Sequence, residues 1–435
     1  MSSLVKGTMR GLALTPLAAL GALGASAQDA SQVSAYVDSS YLFLIGGLIV
    51  MFMAAGFCML EAGLVRKKNA AMQSMKNVAL FSVAGIMFWF VGYNMAYPGS
   101  TILGGWFGVP AFIWSPSDSL DTGYASASDW FFQMVFVATA ASIVSGTVAE
   151  RVKLWPFLIF TAFLTAFIYP IVASWEWGGG ALDSMFAFSD FAGSTLVHST
   201  GGWAALIGAI IIGPRAGKFV GGQVHPMPGS NIPLAALGTF ILWFGWFGFN
   251  GASQLAAGTF DDINAVAKIF ANTNMAACGG VLAAMILTGI LYKGKVDATM
   301  AFNGAIGGLV SITAEPLMPS MGLSILIGAI GGVLVVLTVP LLDKFKIDDV
   351  VGAIPVHLVC GIWGTLAVCI SGGASLGVQL TGIIAIGAFV SIASAVAWFA
   401  LGAVMGLRPS EEEEEGGLDL SECGLDSYPD FSRQS

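Results

Sequence analysis

The sequence predicts an all-α integral membrane protein with eleven transmembrane helices, built as an inverted five-plus-five repeat with one extra helix. Three observations predict this fold: the composition, eleven apolar segments of spanning length, and two matching local sequences that each contain a histidine. Of the 435 residues, 56% are hydrophobic and only 10% charged, with a mean hydropathy of +0.82. Soluble domains carry about 25% charged residues. The composition therefore excludes a cytosolic enzyme and a disordered chain, and a net charge of −9 argues against nucleic-acid binding.

The N-terminus has the features of a targeting segment. Lys6 and Arg10 precede a short apolar stretch that ends at the small residues Ala25-Ser26-Ala27. This order is typical of a secretory signal peptide, so we expect residues 1–27 to be removed by cleavage near Gln28. The alternative is a short first transmembrane helix, but an apolar core of about 14 residues is too short to span a bilayer.

The membrane domain, residues 28–406, contains eleven apolar segments that are long enough to cross a bilayer as helices. Continuous apolar runs of this length exclude barrel strands, in which polar and apolar residues alternate. We number the segments as spans 1 to 11: 42–64, 77–98, 129–149, 154–177, 191–213, 232–256, 269–292, 299–317, 320–342, 352–371 and 377–406.

Basic residues between the spans predict the orientation, because cytoplasmic loops carry an excess of Lys and Arg. The connections after even-numbered spans contain only Lys268, so we expect the mature N-terminus outside and the C-terminus in the cytoplasm, in the plasma (inner) membrane. The basic residues after odd-numbered spans are Arg66, Lys67, Lys68, Lys76, Arg151, Lys153, Arg215, Lys218, Lys293, Lys295, Lys344, Lys346 and Arg408.

Two histidines occupy equivalent positions in spans 5 and 10. His198 and His357 each follow an aspartate by eight residues, Asp190 and Asp349. Eight residues of helix rise about 12 Å, so each histidine is expected near mid-membrane, reached from opposite faces. Inverted-repeat transporters place their site at the repeat interface near this depth. Two separately satisfied core histidines are the alternative; a symmetric pair of ionisable groups in the membrane favours a transport pathway that can relay a proton.

Asp190 and Asp349 begin their helices, where a carboxylate caps free N–H groups and meets the positive end of the helix dipole. Capping is the simpler explanation for both residues, and we expect it most of Asp349. Asp190 also lies close in depth to a group of aromatic residues, so we count it among the candidate binding residues.

Aromatic side chains are predicted to cluster at the outer mouth of the pathway. Phe132 and Phe136 share one face of span 3, Phe249 and Ser253 share one face of span 6, and Trp177 ends span 4. An interfacial aromatic belt would explain each residue alone. Together they could form a vestibule that attracts cations to ring faces, which selects cations over anions.

The remaining polar features predict no cofactor or metal. The five cysteines are scattered, without the spacing of a metal site or a disulfide framework. Residues 407–435 form an acidic cytoplasmic tail: positions 411–435 hold nine acids and one base, Arg433. The excess negative charge of the chain therefore belongs to the tail, and such a charge run is typical of a solvated, flexible end.

Several motifs resemble the ammonium transporter (Amt/Rh) family, and most closely its bacterial Amt branch, over residues 38–429. DFAGSTLVH and WFGWFGFN are the most specific of them. The other matching stretches are AGFCMLEAGLVRKKN, SIVSGTVAERVK, WEWGGGAL, DDVVGAIPVHLVCGIWG and EGGLDLSECG. Two departures are present: Gly352 stands where some members have an acid, and the tail reads Ser421-Glu422-Cys423-Gly424-Leu425, which weakens any expectation of preserved tail regulation.

The resemblance implies a homotrimer with one pore in each protomer. By residue type, it implies an external ammonium site at Trp177, Phe136 and Ser253 with Phe132 alongside. It also implies a gate of Phe136 and Phe249, a twin-histidine pair of His198 and His357, and an essential acid at Asp190. In that family a PII-type signalling protein docks on the cytoplasmic face. The resemblance alone neither requires nor excludes such a partner for this chain.

The resulting hypothesis is a transporter that binds ammonium, with methylammonium as an analogue, removes its proton near Phe136 and conducts ammonia along the histidines. A second hypothesis is an ammonium sensor whose tail signals occupancy to a partner protein. A third is a sodium-coupled symporter, since such proteins share inverted repeats; it predicts paired intramembrane polar sites, of which the sequence offers few.

Overall fold

The computed structural model describes residues 15–431 and is an all-α, multi-pass membrane protein, as predicted. Ten segments are long and apolar enough to span a membrane, and the predicted span 8 is a shorter apolar helix, Ala298–Ile312. The first helix as a whole runs Thr15–Leu64. The ten long segments are Ala30–Leu64, Lys67–Ala96, Ser126–Thr147, Leu154–Phe186, Ser194–Ile212, Ile232–Ala252, Phe260–Leu291, Met321–Lys344, Ile354–Ser371 and Leu376–Met405.

π-helical turns interrupt spans 2, 4, 5 and 10. Such turns occur frequently at functional sites. They are Phe88–Gly92, Leu164–Ile168, Ser194–Ser199 and Ile354–Val359. The α-helices beside them are Ala70–Met87, Tyr93–Ala96, Leu154–Phe163, Tyr169–Glu176, Thr200–Ile212 and Cys360–Ser371.

Short elements form the connections and the tail. Two hairpins pair Thr101–Ile102 with Phe107–Gly108 and Phe219–Val220 with Gln223–Val224. The short helices are Lys67–Asn69, Leu103–Gly105, Leu120–Thr122, Ala181–Phe186, Glu411–Gly416, Leu418–Cys423 and Pro429–Phe431. Residues 1–14 of the expected signal peptide lie outside the described residues, and its cleavage near Gln28 stays a prediction.

The packing of the spans follows the predicted repeat. Spans 2 and 4 pack together as spans 7 and 9 do, spans 3 and 5 as spans 8 and 10 do, and span 1 packs along span 6. Small residues allow these close contacts. A Cβ atom at Gly238 would lie 2.2 Å from the nitrogen of Leu60, and one at Gly332 would lie 2.2 Å from the oxygen of Gly280. The first pair joins spans 1 and 6, and the second joins spans 7 and 9.

Charged residues after spans 1, 3, 5 and 9 meet on one face, which we call the inner face because the sequence predicts it to be cytoplasmic. Glu150 accepts from Arg66 Nε at 2.5 Å and from Arg215 Nη1 at 3.0 Å. Asp348 accepts from Arg215 Nε at 2.8 Å, and Arg151 Nη2 donates to its backbone oxygen at 2.5 Å. The network ties four connections together in a largely buried setting.

The acidic tail is only partly the solvated end that its charge run suggests. Glu414 is buried, accepts from the amide of Ala216 at 2.7 Å and pairs with Arg408 at 2.5 Å. Asp419 is also buried and accepts from the amide of Met72 at 2.8 Å. These two acids satisfy backbone donors and a guanidinium on the inner face, so this part of the tail packs against the membrane body.

Replacing Asp348 by alanine should destabilise the protein by about 3–5 kcal/mol, because it removes one partner of a buried ion pair. Asp343→Ala is the matched control: its carboxylate pairs with Lys218 at 3.1 Å but is partly exposed, so the loss should stay below about 1 kcal/mol. Thermal unfolding of the two purified variants in detergent measures the difference. Equal losses of stability in the two variants would contradict the conclusion that Asp348 belongs to a buried ion pair and Asp343 to an exposed one.

Acidification should reduce the difference between wild type and Asp348→Ala. Burial alone would raise the pKa of Asp348, but hydrogen bonds and charge from Arg215, with the charge of Arg151, outweigh it and hold the pKa well below its ordinary value of 3.8. A carboxyl group with a depressed folded-state pKa stabilises the protein above its unfolded pKa and loses that effect as the pH falls through the folded one. Unfolding temperatures of wild type and variant should therefore converge only below about pH 4.

Candidate functional site

A cavity of about 330 Å³ opens on the face opposite the inner face, which we call the outer face. The structure brings four of the predicted residues into its wall: Phe132, Phe136, Trp177 and Ser253. The Phe132 and Phe136 rings meet edge to face at 4.7 Å, and Trp177 meets Phe136 at 6.1 Å and 77°. These predicted residues therefore line one cavity, which we call the outer cavity; its role as a vestibule for cations stays a prediction.

A pair of stacked rings closes the bottom of the outer cavity. Phe136 and Phe249 lie parallel, with centroids 3.9 Å apart and planes 20° apart, and both side chains are buried. The Ser253 hydroxyl donates to the Phe249 carbonyl at 2.8 Å, one helical turn away. Two rings this close leave no space between them for an ion in the described conformation.

Directly below the rings lie the two histidines. Phe249 is 5.2 Å from His198, and the Nδ1 atoms of His198 and His357 are 3.2 Å apart. Both rings are buried among aromatic side chains, with Trp246 stacked on His198 at 5.0 Å. A hydrogen bond between two Nδ1 atoms requires one to carry the proton and the other to accept it, so the two neutral imidazoles adopt different tautomers. The pair can hold one shared proton.

Each histidine lies in a π-helical turn that begins with the same backbone device. Gly193 and Gly352, each three residues after its aspartate, have φ angles of 106° and 80°, which favour glycine. The turns Ser194–Ser199 and Ile354–Val359 follow them. The spacing that matched in sequence thus builds matching local structure in spans 5 and 10.

Glycines allow the two turns to approach until the imidazoles meet. A Cβ atom at Gly202 would lie 2.7 Å from the nitrogen of Leu358, and one at Gly361 would lie 2.4 Å from the oxygen of Ser194. Each glycine follows its histidine by four residues, one helical turn, so the closest approach of the backbones is beside the rings. Any side chain at Gly202 or Gly361 would push the spans apart.

Asp190 lies behind the outer cavity rather than in its wall. The side chain is fully buried, and its two oxygens accept the amides of four residues at 2.7–3.0 Å: Gly193, Ser194, Thr195 and Leu196. Asp349 makes the equivalent contact to the amide of Ile354 at 2.7 Å. Both acids cap the turns that carry the histidines. Asp190 reaches the vestibule only through its backbone oxygen, which accepts from Trp177 Nε1 at 3.0 Å.

The acid that does line the outer cavity is Asp129, which the sequence reasoning missed. Tyr93, Tyr97 and Tyr124 line the same wall and were also missed. The position of Asp129 could have been predicted from the sequence, because it precedes Phe132 by three residues on the same helix face. The tyrosines come from span 2 and an outer loop, so only the folded chain brings them here.

Space continues from the histidines towards the inner face. A small pocket below the pair is lined by Phe57, Glu61, Asn303 and His357, and a cavity of about 190 Å³ opens beyond it beside Arg215. Gly352 contributes to both, in the position where some family members carry an acid. Within residues 30–430, no three His, Cys, Asp or Glu side chains lie together in a group that could hold a metal ion.

The fold and the cavities define a class: a multi-pass membrane protein with separate cavities above and below a buried histidine pair, within a single chain. The chain belongs to the ammonium transporter family. Residues 41–428 match the profile of the Ammonium Transporter Family. Ammonium transporter Amt2 of Archaeoglobus fulgidus is 41% identical, in a match that covers 89% of this chain and 87% of that protein. A putative ammonium transporter of Synechocystis is also 41% identical, with 89% of each chain covered.

Solved structures share the fold. A structure described as "Sensor Amt Protein" superposes with a TM-score of 0.83 at 35% identity, covering 89% of this chain and 98% of that one. The crystal structure of Candida albicans Mep2 gives a TM-score of 0.76 at 25% identity, with 88% of each chain covered. The relatives named ammonium transporters thus agree with the family that the motifs indicated.

Proposed function

We propose that the protein transports ammonium across the plasma (inner) membrane, from the outer cavity to the cytoplasm. The observation that carries the proposal is the histidine pair, with Nδ1 atoms 3.2 Å apart, directly beneath two stacked rings at the bottom of an aromatic cavity. The basic residues of the odd-numbered connections support a cytoplasmic inner face and C-terminus, with the N-terminus outside.

In this proposal the cation is first bound by four residues of the outer cavity: Trp177, Phe132, Phe136 and Ser253. Ring faces attract ammonium electrostatically, and a desolvated cation–π contact is worth up to about 2 kcal/mol. The Ser253 hydroxyl lies in the same wall. Asp190 is a positioning residue in this scheme, since its carboxylate fixes the turn below and its backbone oxygen fixes the Trp177 ring.

Deprotonation occurs where the cation meets the stacked rings. A charged ion would have to lose its water to enter the buried pathway around His198, which costs far more than moving neutral ammonia. Ammonia therefore crosses when Phe136 and Phe249 move apart, and it hydrogen-bonds to the imidazoles as it passes. The proton that ammonium loses passes through the histidine pair and is released on the cytoplasmic side, so one positive charge crosses with each ammonia and net transport is electrogenic.

Replacing Trp177 by leucine should raise the half-saturating ammonium concentration by up to about 30-fold, the equivalent of about 2 kcal/mol of lost cation–π attraction. Trp155→Leu is the control, because Trp155 is exposed at the start of the helix Leu154–Phe163, away from the outer cavity. Current measured against ammonium concentration in proteoliposomes checks the shift. An unchanged half-saturating concentration in Trp177→Leu would show that this ring does not contribute to the binding site.

Uptake of radiolabelled methylammonium into proteoliposomes tests the proposed function. We expect accumulation that ammonium competes away and that does not depend on sodium. Sodium-dependent uptake would instead support a coupled symporter.

An ammonium sensor is the second candidate, favoured by the 35% identity to the structure described as "Sensor Amt Protein". The buried tail acids Glu414 and Asp419 could transmit occupancy to a partner, since they contact the inner ends of the spans. Saturable ammonium binding without methylammonium uptake would support the sensor and contradict the transporter.

The remaining proposals rest on the family. We propose a homotrimer with one pathway in each protomer, cleavage of residues 1–27, and docking of a PII-type regulatory protein on the inner face. The mass of the purified particle and N-terminal sequencing of the mature chain test the first two. Co-purification with a PII-type protein tests the third.

A further inference from the structure

An acidic side chain in the outer cavity has no part in the mechanism above. Asp129 lies near the start of the helix Ser126–Thr147, is 6% exposed, and lines the cavity that also contains Trp177 and Ser253. A carboxylate is costly to bury unless its oxygens are satisfied. The burial of this carboxylate beside a cavity proposed to receive cations therefore needs a physical explanation.

The partners of Asp129 are suited to its ionised form. The Tyr93 hydroxyl donates to Oδ2 at 2.5 Å, and the Gln133 amide donates to Oδ1 at 3.2 Å. An ionised carboxylate accepts through both oxygens and has about four lone-pair sites, so two donors leave further acceptor capacity. A protonated carboxyl would also need an acceptor for its own proton. Both observed contacts thus match a carboxylate that can still accept a hydrogen bond from a cation.

Aromatic rings surround this carboxylate. The Tyr93 and Tyr97 rings are tilted by 47° with centroids 5.2 Å apart, and Tyr124 meets Phe43 edge to face at 4.8 Å. All four rings line the outer cavity. Phe132, three residues after Asp129, places its ring against Phe136 at 4.7 Å. The cavity therefore offers a small cation one carboxylate and several ring faces above the closed rings.

We propose that Asp129 is a cation-binding residue of the outer cavity, which holds ammonium at an entry position before it reaches Trp177 and the stacked rings. Ammonium donates one N–H to a carboxylate oxygen and turns the others to ring faces and water. Since the charge lies outside the deprotonation step, Asp129 sets the concentration at which the pathway fills and leaves the maximal rate nearly unchanged. This inference rests on the proposed function.

The test compares Asp129→Asn with wild type in proteoliposomes, using current against ammonium concentration. Asparagine keeps the size of the side chain and an oxygen for the Tyr93 hydroxyl, but it removes the charge. We expect the half-saturating concentration to rise about tenfold, equivalent to about 1.4 kcal/mol, with a maximal current within about twofold of wild type. Asp121→Asn is the matched control, because Asp121 is an exposed acid of the loop before the same helix; its half-saturation should equal wild type.

A second variant guards against a folding defect in Asp129→Asn. Leu255 lines the outer cavity and is 47% exposed, so Leu255→Lys should fold and place a positive charge in the field of Asp129. We expect a several-fold rise in half-saturation from Leu255→Lys alone. Unchanged half-saturation in Leu255→Lys, or in a folded Asp129→Asn, would overturn the inference while wild-type current still supports transport. Absence of current in wild type would instead overturn the proposed function.

Discussion

Ammonium-driven current is expected to fall by at least about 100-fold when His198 and His357 are both replaced by leucine, the lower end of what a positioned acid–base group contributes. In the proposed mechanism the pair, with Nδ1 atoms 3.2 Å apart, is the proton-accepting group of the buried pathway. Leucine fills a similar volume and packs among Trp246 and Phe249 without a polar atom. A pathway lined only by apolar groups offers ammonia no hydrogen bond and a proton no acceptor.

The measurement is the current after an ammonium pulse to proteoliposomes of equal protein content. His225→Leu is the control, because His225 is an exposed histidine in the loop between spans 5 and 6 and its loss should leave the current unchanged. The size of the particle in gel filtration shows that the double variant is folded. Full, ammonium-selective current in the folded double variant would contradict the proposal that His198 and His357 relay the proton.

Replacing Asp190 by alanine should cost more than about 3 kcal/mol of stability and abolish transport. The change leaves four buried amides, those of residues 193–196, without their acceptor. Hydrogen bonds to a charged group contribute about 1.5–3 kcal/mol each, and an unpaired buried donor pays its full desolvation cost. The turn that carries His198 would then lose its geometry, so binding and relay fail together.

Asp190→Asn should be intermediate, because its single carbonyl oxygen can accept from only part of this set. Asp297→Ala is the matched control: Asp297 caps span 8 by accepting from Thr299 and Met300, but it is partly exposed, so we expect a loss near 1 kcal/mol. Thermal unfolding and current of the three variants are compared. A normal current in Asp190→Ala would mean that the cap does not position His198.

Much of the fold was predictable because it depends on local patterns. Apolar segment length gave the spans, and the repeated Asp, Gly and His spacing of spans 5 and 10 gave two turns of matching structure and depth. The contact between His198 and His357 follows from that symmetry, since a shared site at the repeat interface brings equivalent residues together. The i, i+4 spacing placed Phe132 with Phe136 and Phe249 with Ser253, whereas the pairing of Phe136 with Phe249 was implied only by the family resemblance.

The remaining features depend on contacts between distant parts of the chain. The π-helical form of the histidine turns has no simple pattern in sequence. The close approach of the two spans at Gly202 and Gly361 is visible only in the folded chain. Asp129 gains its place in the outer cavity from Tyr93 on another span. Glu414 is buried where Arg408 and the amide of Ala216 meet it on the inner face, which the charge run alone does not predict.

In the proposed mechanism the protein selects ammonium above Phe136 and Phe249, conducts ammonia below them and moves the proton as net charge. The most direct test applies an ammonium pulse, and separately an equal potassium pulse, to proteoliposomes and records the electrical current. We predict a saturable current with ammonium and no current above protein-free liposomes with potassium. Equal currents with both cations, or none with ammonium, would contradict selective and electrogenic ammonium transport by this protein.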